Sequence, residues 1–343
     1  MGVRIEEYDP RLASDGLLMG VHEAYLDKDL DFMPGDPPTP IEQHRALWQA
    51  PVGTHRKDRR WVALDADEVV GASHMATWVD HKNSGQLDVV VRRDRRRHGI
   101  GRRLLLACLG GLEEEGRSKL IIDAPRESPL NPALARLGLR KVLGETISRL
   151  TVSQINWDLM GEWIAVAAER AGDYDLLYLE TPLPEEHLPR WCKITEAMNT
   201  APLEDMDLGD ETMTPDKWRS IESTLAGRGD LMRICIAVHQ PSGEFAGMTA
   251  LHGQTHQPDA AQQGDTVVDP AHRNQGLGRL VKAANVKRFL AEFPDVERIY
   301  TGNAGTNEPM LNINVAMGFR PAMLMSAWQG DIAAARSVLG VTS

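Results

Sequence analysis

No stretch of this 343-residue sequence approaches the roughly 18 consecutive apolar residues that a membrane-spanning helix needs, so a helical membrane protein is excluded. Cysteine is scarce. Cys108, Cys192 and Cys235 stand far apart without metal-ligand spacing, so neither a disulfide framework nor a metal site is expected, and all three are assigned to core packing. Positive charge is in deficit: 38 Lys and Arg face 49 Asp and Glu, a net charge of -11, which argues against a nucleic-acid partner. Low-complexity tracts are absent. The opening residues, MGVRIEEYDP, carry acid where a secretory signal has its apolar core, and a cytoplasmic protein is expected. What is present, 42% hydrophobic and 25% charged residues, is a globular composition, and the length suits two domains of roughly 100 to 200 residues.

The sequence repeats itself. "RRRHGIGRRL" from Arg95 and "HRNQGLGRL" from His272 place Gly99 and Gly276 177 residues apart, and Arg96 and Arg273 keep the same offset. Further on, "ARLGLRKV" and "VAMGFRPA" set Gly138 against Gly318 at an offset of 180. Two landmarks in one order imply a duplicated domain, divided as 1–152 and 153–343 with the boundary near 150–170.

Each copy reads as a hairpin, a buried strand, a helix and another strand. In the first copy the hairpin turns at Asp65-Ala66-Asp67, "QLDVVV" is the strand, and 99–115 is the helix, with an apolar stripe of Leu104, Cys108, Leu109 and Leu112 before "KLIIDA". In the second, Pro-Ser-Gly at 241–243 makes the turn, "DTVVD" the strand and 276–292 the helix; "VERIYTGN" and a short helix over 307–317 follow. This alternation predicts α/β domains with a mixed sheet. Between the copies, Trp157, Met160, Trp163, Ile164 and Ala167 fall at helical spacing, Gly172 can end that helix, and "YDLLYLE" begins the second copy. The helix has enough apolar side chains to lie between the copies.

The paired glycines have a physical use. Where a strand feeds a loop that opens a helix, the first amides have no partner inside the helix, and together with the helix dipole they attract anions. Glycine lets the backbone approach phosphate without a Cβ in the way. Arg273 and Arg279 add charge, so the loop suits a pyrophosphate or similar dianion. It lacks the Gly-Lys-Ser/Thr of a P-loop and the third glycine of a dinucleotide fingerprint. The basic run over 92–103 lies largely inside the loop, and the rest is a solvated face.

The remaining pattern, Val268-x-Pro270-x-x-Arg273-x-x-Gly276-x-Gly278, resembles the coenzyme A loop of the GCN5-related N-acetyltransferases, the GNAT superfamily. "NEPMLNINVAMGF" is similar to that family's final helix and its Gly318-Phe319 ending. The resemblance covers nearly the whole chain twice, as in tandem GNAT proteins, and implies two tandem GNAT-like domains with acetyl-CoA or another acyl-CoA as co-substrate and no metal. It implies that the coenzyme is held in the second copy by Val267, Val268, Arg273, Asn274, Gln275, Gly276, Leu277, Gly278, Arg279, Asn303, Asn307 and Met310. In the first copy it implies Val90, Val91, Arg96, Arg97, His98, Gly99, Ile100, Gly101 and Arg102. That copy is the more degenerate, with Arg93 at the family's proline, "NPALARLGL" for the final helix, and Pro125 and Pro129 where the second has Asn303 and Asn307.

The resemblance also implies a bulged strand beside the thioester, over 266–269 and 89–92. The tyrosine by which many members protonate the leaving thiolate is replaced by Asn314 and Leu134. As base, Asp265, His252 and His256 lie in range of the strand mouth, and water can relay the proton. The expected reaction is acyl transfer to an amine of a small metabolite, in the second copy; the alternative is a CoA-binding sensor or scaffold without turnover. The loops near 198–216 and 252–263 carry Glu204, Asp205, Asp207, Asp210 and Glu211, which would steer a cationic amine. Either a monomer or a homodimer fits the sequence.

Overall fold

The structure, a computed structural model, describes residues 2–33, 35–170 and 172–340; the side chains of 167–170, and with them the expected contact of Ala167, lie outside the described residues. The first repeat runs β1 (Arg4–Glu7), α1 (Asp15–Phe32), α2 (Ile41–Gln49), β2 (Arg56–Asp65), β3 (Glu68–Trp78), β4 (Ser84–Val91), α3 (Ile100–Glu114), β5 (Lys119–Pro125), α4 (Asn131–Arg136) and β6 (Arg140–Thr151). After α5 (Trp157–Arg170) the series recurs as β7 (Tyr174–Glu180), α6 (Leu188–Glu196), α7 (Pro215–Arg228), β8 (Asp230–His239), β9 (Glu244–Gln254), β10 (Ala260–Val268), α8 (Leu277–Glu292), β11 (Arg298–Ala304), α9 (Glu308–Met317) and β12 (Arg320–Asp331). A last helix, α10 (Ile332–Val338), is added. The apolar stripe read on α3 is buried at all four positions.

Two compact units result, and neither is a single piece of chain. The first comprises 1–145, 203–209 and 323–343; the second comprises 146–202 and 210–322. The sequence repeats therefore do not coincide with the compact units. In the first unit the strand order is β1-β2-β3-β4-β5-β12, with β4 and β5 parallel and the other described pairs antiparallel. In the second it is β6-β11-β10-β9-β8-β7, with β10 and β11 parallel. Each unit thus completes its sheet with a strand that the sequence assigns to the other repeat. Residues Met325 to Asp331 of β12 pair with Pro125 to Lys119 of β5, and the end of β6 carries Leu150 into the second core. "GLRKV" and "GFRPA" have the same pattern, so periodicity does not say which sheet either strand joins.

Both faces of each sheet are covered, and the inner strands β3 and β9 are accordingly buried along nearly their whole length. In the first unit α3 packs Leu104, Cys108, Leu109 and Leu112 against Leu87, Leu120 and Trp328, while Leu18, Val21 and Trp48 of α1 and α2 cover the other face. In the second, Val286 and Phe289 of α8 meet Leu150, Ile155, Met160 and Phe319; on the other face Trp191 and Trp218 pack with centroids 4.8 Å apart. Helix α5, expected between the copies, packs on α8 and α9 in the second unit. Trp163 and Ile164 border its core, and Trp157 remains 44% exposed. All three cysteines are buried and free.

Candidate active site

In the second unit β10 leads through Pro270 to His272 into the glycine turn. Asn274 takes φ 65° and Gly276 φ 78°, and Gly276 caps α8 with no side chain donated to the cap. The amides of Asn274 through Gly278 donate to no backbone carbonyl among the described residues. A Cβ at Gly276 would meet nothing within 4 Å, so the cradle is open to a ligand. The first unit reproduces this: Arg97 at φ 69°, Gly99 at φ 79°, and unpaired amides over 97–101. Five amides aimed outward from a helix mouth fit a pyrophosphate group.

The loop arginines also make contacts within the protein. Arg273 Nε bonds the Val268 carbonyl at 3.3 Å and a terminal nitrogen reaches Thr200 Oγ1 at 2.7 Å; Arg96 Nε holds the Val91 carbonyl at 3.1 Å. Both therefore brace the loop against the strand it leaves. Arg279 lies over the Trp163 ring, 5.6 Å from its centroid. In the first loop Arg92, Arg93, Arg95 and Arg96 are ion-paired with Glu68, Asp31 and Asp65, whereas Arg273 has only neutral partners.

Beyond the loop, the two central strands separate. β10 and β11 pair from Ala260↔Arg298 to Gln262↔Tyr300, and pairing then stops. On its other side β10 pairs Gln263 with Leu251 and next Thr266 with Thr249, so one extra residue is bulged out at Gly264-Asp265. Gln263 pins the bulge from within, donating to the Ala250 carbonyl at 2.7 Å and Thr249 Oγ1 at 3.0 Å. In the first unit β4 and β5 also part, after Leu87↔Ile122, but β4 pairs with β3 without interruption from Gly85 to Val91. The bulge expected there is absent, because Asp88 stands directly opposite His74 and no residue is extra.

The sequence profile described as the Acetyltransferase (GNAT) family matches residues 22–138 and 195–319, more than half of the chain. The chain belongs to the GNAT family. The fold agrees: a tandem GNAT protein from the clavulanic acid biosynthesis pathway, solved without acetyl-CoA, superposes with a TM-score of 0.77 at 23% identity, over 96% of this chain and 98% of that one. A GCN5-related N-acetyltransferase from Sphaerobacter thermophilus gives 0.63 at 13% identity, over 96% of each chain. Among curated proteins no sequence matches. GNAT proteins use an acyl-CoA as co-substrate, so the chain is in general terms an acyl-CoA-dependent N-acyltransferase, and the duplicated α/β fold read from the sequence is the one observed. No described helix is long and apolar enough to cross a membrane.

Within the second GNAT unit, Asp265 is part of the bulge and His252 lies on the neighbouring strand β9, paired with Gln262. A Cβ on Gly264 would stand 2.9 Å from His252 Nε2, so the ring occupies the space that a side chain would need. Burial, helped by the charge of Arg228, pushes His252 down to about 4, leaving it neutral near pH 7. Asp265 keeps solvent exposure at the opening, yet crowding by protein and then the charge of Glu211 raise its carboxyl. His256 is exposed in the turn beside Gly229, beyond the end of β9. Asn307 caps α9, accepting from the Met310 amide at 3.4 Å. The acidic loop divides: Glu204 accepts from the Gly144 amide and Asp207 pairs with Lys119, both inside the first unit. Of its acidic residues, Asp210 and Glu211 belong to the second unit, and there Glu211 acts on Asp265.

Two features escaped sequence reasoning. The first is Lys282, on the α8 turn after the glycines and 1% exposed. Its Nζ donates to Asn314 Oδ1 at 2.6 Å and lies 3.6 Å from Met310 Sδ, while Asn314 Nδ2 donates to Asn303 Oδ1 at 2.6 Å. Burial alone pushes this amine down to about 7 from its ordinary 10.5. Between those values the unfolded chain binds more protons than the folded one, so stability from this group grows as pH rises from about 7 to 10.5. Thermal unfolding from pH 7 to 10 should therefore show a steeper gain in the native protein than in Lys282→Met; parallel curves would refute it. The second feature is a cavity of about 240 Å³ in the first unit, where β4 and β5 part, lined by Lys28, His74, Gln86, Asp88 and Asp123 among others. Asp88, the counterpart of Asp265, is tied to Lys28 at 2.7 Å, and Gln86 donates to Asp123 at 2.6 Å. Neighbouring acids so neutralised resemble ordinary polar strand residues in sequence.

Proposed function

We propose that the second unit transfers an acyl group, acetyl first among the candidates, from its CoA thioester to an amine of a small metabolite. The observation that carries this reading is the one-residue bulge at Gly264-Asp265, at the point where β10 and β11 part. There the backbone has no ladder partner on β9 and no further pairing with β11, so its N–H groups can serve an oxygen that gains charge in the reaction. The open amide cradle, with Arg273 unpaired by acid, supports pyrophosphate binding at the same strand's end. For the attacking amine's proton, Asp265 and the neutral ring of His252 are the groups at hand, with a water route to bulk solvent beside the exposed Asp265. We assign to the first unit CoA binding without turnover, a reading that its intact loop and unbulged β4 favour.

The test is a thiol-release assay of the full chain with acetyl-CoA against a panel of small amines. Turnover with at least one amine is expected, and Gly264→Val should lower the rate on the order of 100-fold by displacing His252 and remaking the bulge. Calorimetric affinity for acetyl-CoA should persist in that variant. A chain that binds no acetyl-CoA, or a Gly264→Val variant with native rates, would overturn the assignment.

A further inference from the structure

A donor chain runs from the second core to the opening between β10 and β11. It begins at Lys282, which has only donors, so Asn314 must present its oxygen to the ammonium and its nitrogen outward. The Asn314 nitrogen in turn fixes Asn303, whose oxygen accepts and whose Nδ2 is left over. Asn303 stands three residues past the last β10–β11 pair, half-buried, and its Nδ2 has no protein partner among the described residues. Two amides whose orientation is otherwise free are thus locked, by one buried amine, into leaving the Asn303 Nδ2 donor unspent beyond the last β10–β11 pair.

Among the described residues the cation has no counter-ion. The groups among those residues that contact Lys282 Nζ are Asn314 and Met310 of α9 and the Phe319 ring, 5.7 Å away; none is titratable. Desolvation is the one cause acting on its proton affinity. A buried amine kept without a carboxylate is a costly choice for a fold unless an anion arrives there. The pyrophosphate already has the amides of 274–278. The other anion of the reaction proposed above is the sulfur released from the thioester.

We propose that Lys282, Asn314 and Asn303 form an anion-stabilising relay for the thiol end of coenzyme A, with Asn303 Nδ2 as the contacting donor and Lys282 as a positioning residue that supplies charge from behind. The inference rests on the acyl-transfer reading. As the C–N bond forms and the C–S bond breaks, the bonding pair stays on sulfur as thiolate, and the proton lost by the amine nitrogen goes through base or water to solvent. The relay takes no proton. It donates a hydrogen bond to the sulfur that carries the pair, and so replaces a direct acid at Asn314.

The experiment compares the affinity of the full chain for CoA and for desulfo-CoA, in which hydrogen replaces the thiol, by calorimetry from pH 6 to 10. A favoured thiolate needs both a charged Lys282 and an ionised thiol, whose ordinary pKa is about 8.5. The preference for CoA should therefore peak between about 7 and 8.5, reach about tenfold, and fall on either side. Thiolate absorbance should appear on binding near pH 7.5. Lys282→Met should bind desulfo-CoA as the native protein does and lose the preference, and Asn303→Ala should lose the same preference. If the native protein binds both ligands equally at every pH, the relay has no such role. If it binds neither, the CoA reading itself fails.

Discussion

Replacing Gly278 by Glu should abolish acetyl-CoA binding by the second unit and leave the protein folded. A Cβ at this position would meet only Val268 Cγ2 at 3.7 Å and Ile313 Cδ1 at 3.8 Å, which are ordinary contacts, and its backbone is not left-handed as that of Gly276 is. The damage comes from the rest of the side chain, which fills the helix mouth and sets a carboxylate beside the place of the pyrophosphate. Like charges about 4 Å apart at a partly shielded surface repel by roughly 4 kcal/mol, equivalent to about a thousandfold in affinity. Calorimetry beside thermal unfolding separates the two effects. Gly101→Glu is the matched control, since a Cβ there meets Val91 Cγ2 at 3.6 Å. It should remove only binding that belongs to the first unit, so loss of turnover in Gly101→Glu alone would reverse the assignment of the active unit. Unchanged stoichiometry and affinity in Gly278→Glu would show that the loop is not the phosphate site.

The second large effect is on stability, at a distance in sequence. A chain ending at 322 should lose the first unit, although the deletion touches only the last residues. Those residues supply β12 from Met323 onward, with Trp328, Ile332 and Ala335 buried against α3 and β5. At about 1.5 to 3 kcal/mol for each large apolar side chain, losing Trp328 and Ile332 costs on the order of 5 kcal/mol, comparable with a domain's whole net stability. The deletion also leaves β5 as an unpaired edge. Hydrogen exchange should show protection lost across 1–145 and retained in α8 and β10. Native-like protection of 1–145 in the truncated chain would contradict the strand assignment. By the same reasoning a fragment covering 170–343 lacks Leu150, Ile155 and Met160 of the second core and should not form a cooperative fold.

Much of the site was legible because glycine and arginine at fixed spacing encode a backbone shape. The φ of Gly99 and Gly276, and of Arg97 and Asn274, agree to within 4°, and this is the duplication seen in dihedral form. The helices at 100–114 and 277–292 were marked by their glycine mouths. What stayed hidden depends on pairing. The bulge is one extra residue between two strands, and neither strand shows it alone; "QLDVVV" and "QGDTVV" look equivalent until each is set against its partner. Arg273 carries a charge suited to phosphate and is spent on Thr200, which the sequence places 73 residues away. Lys282 reads as a solvated position on an amphipathic helix, but α8 is enclosed on nearly every side, from Lys282 through Val286 without a break.

The exchange of closing strands orders the birth of the molecule on the ribosome. Everything the second unit needs lies within 146–322, while the first unit, most of which is made earlier, waits for the segment from 323 onward before its core can close. The half made first is therefore finished last. Until then it must survive with β5 uncovered. A stop codon just after Ala322, beyond the 195–319 that the family profile spans, would leave the glycine loop of the second unit intact and the earlier half of the protein unfinished.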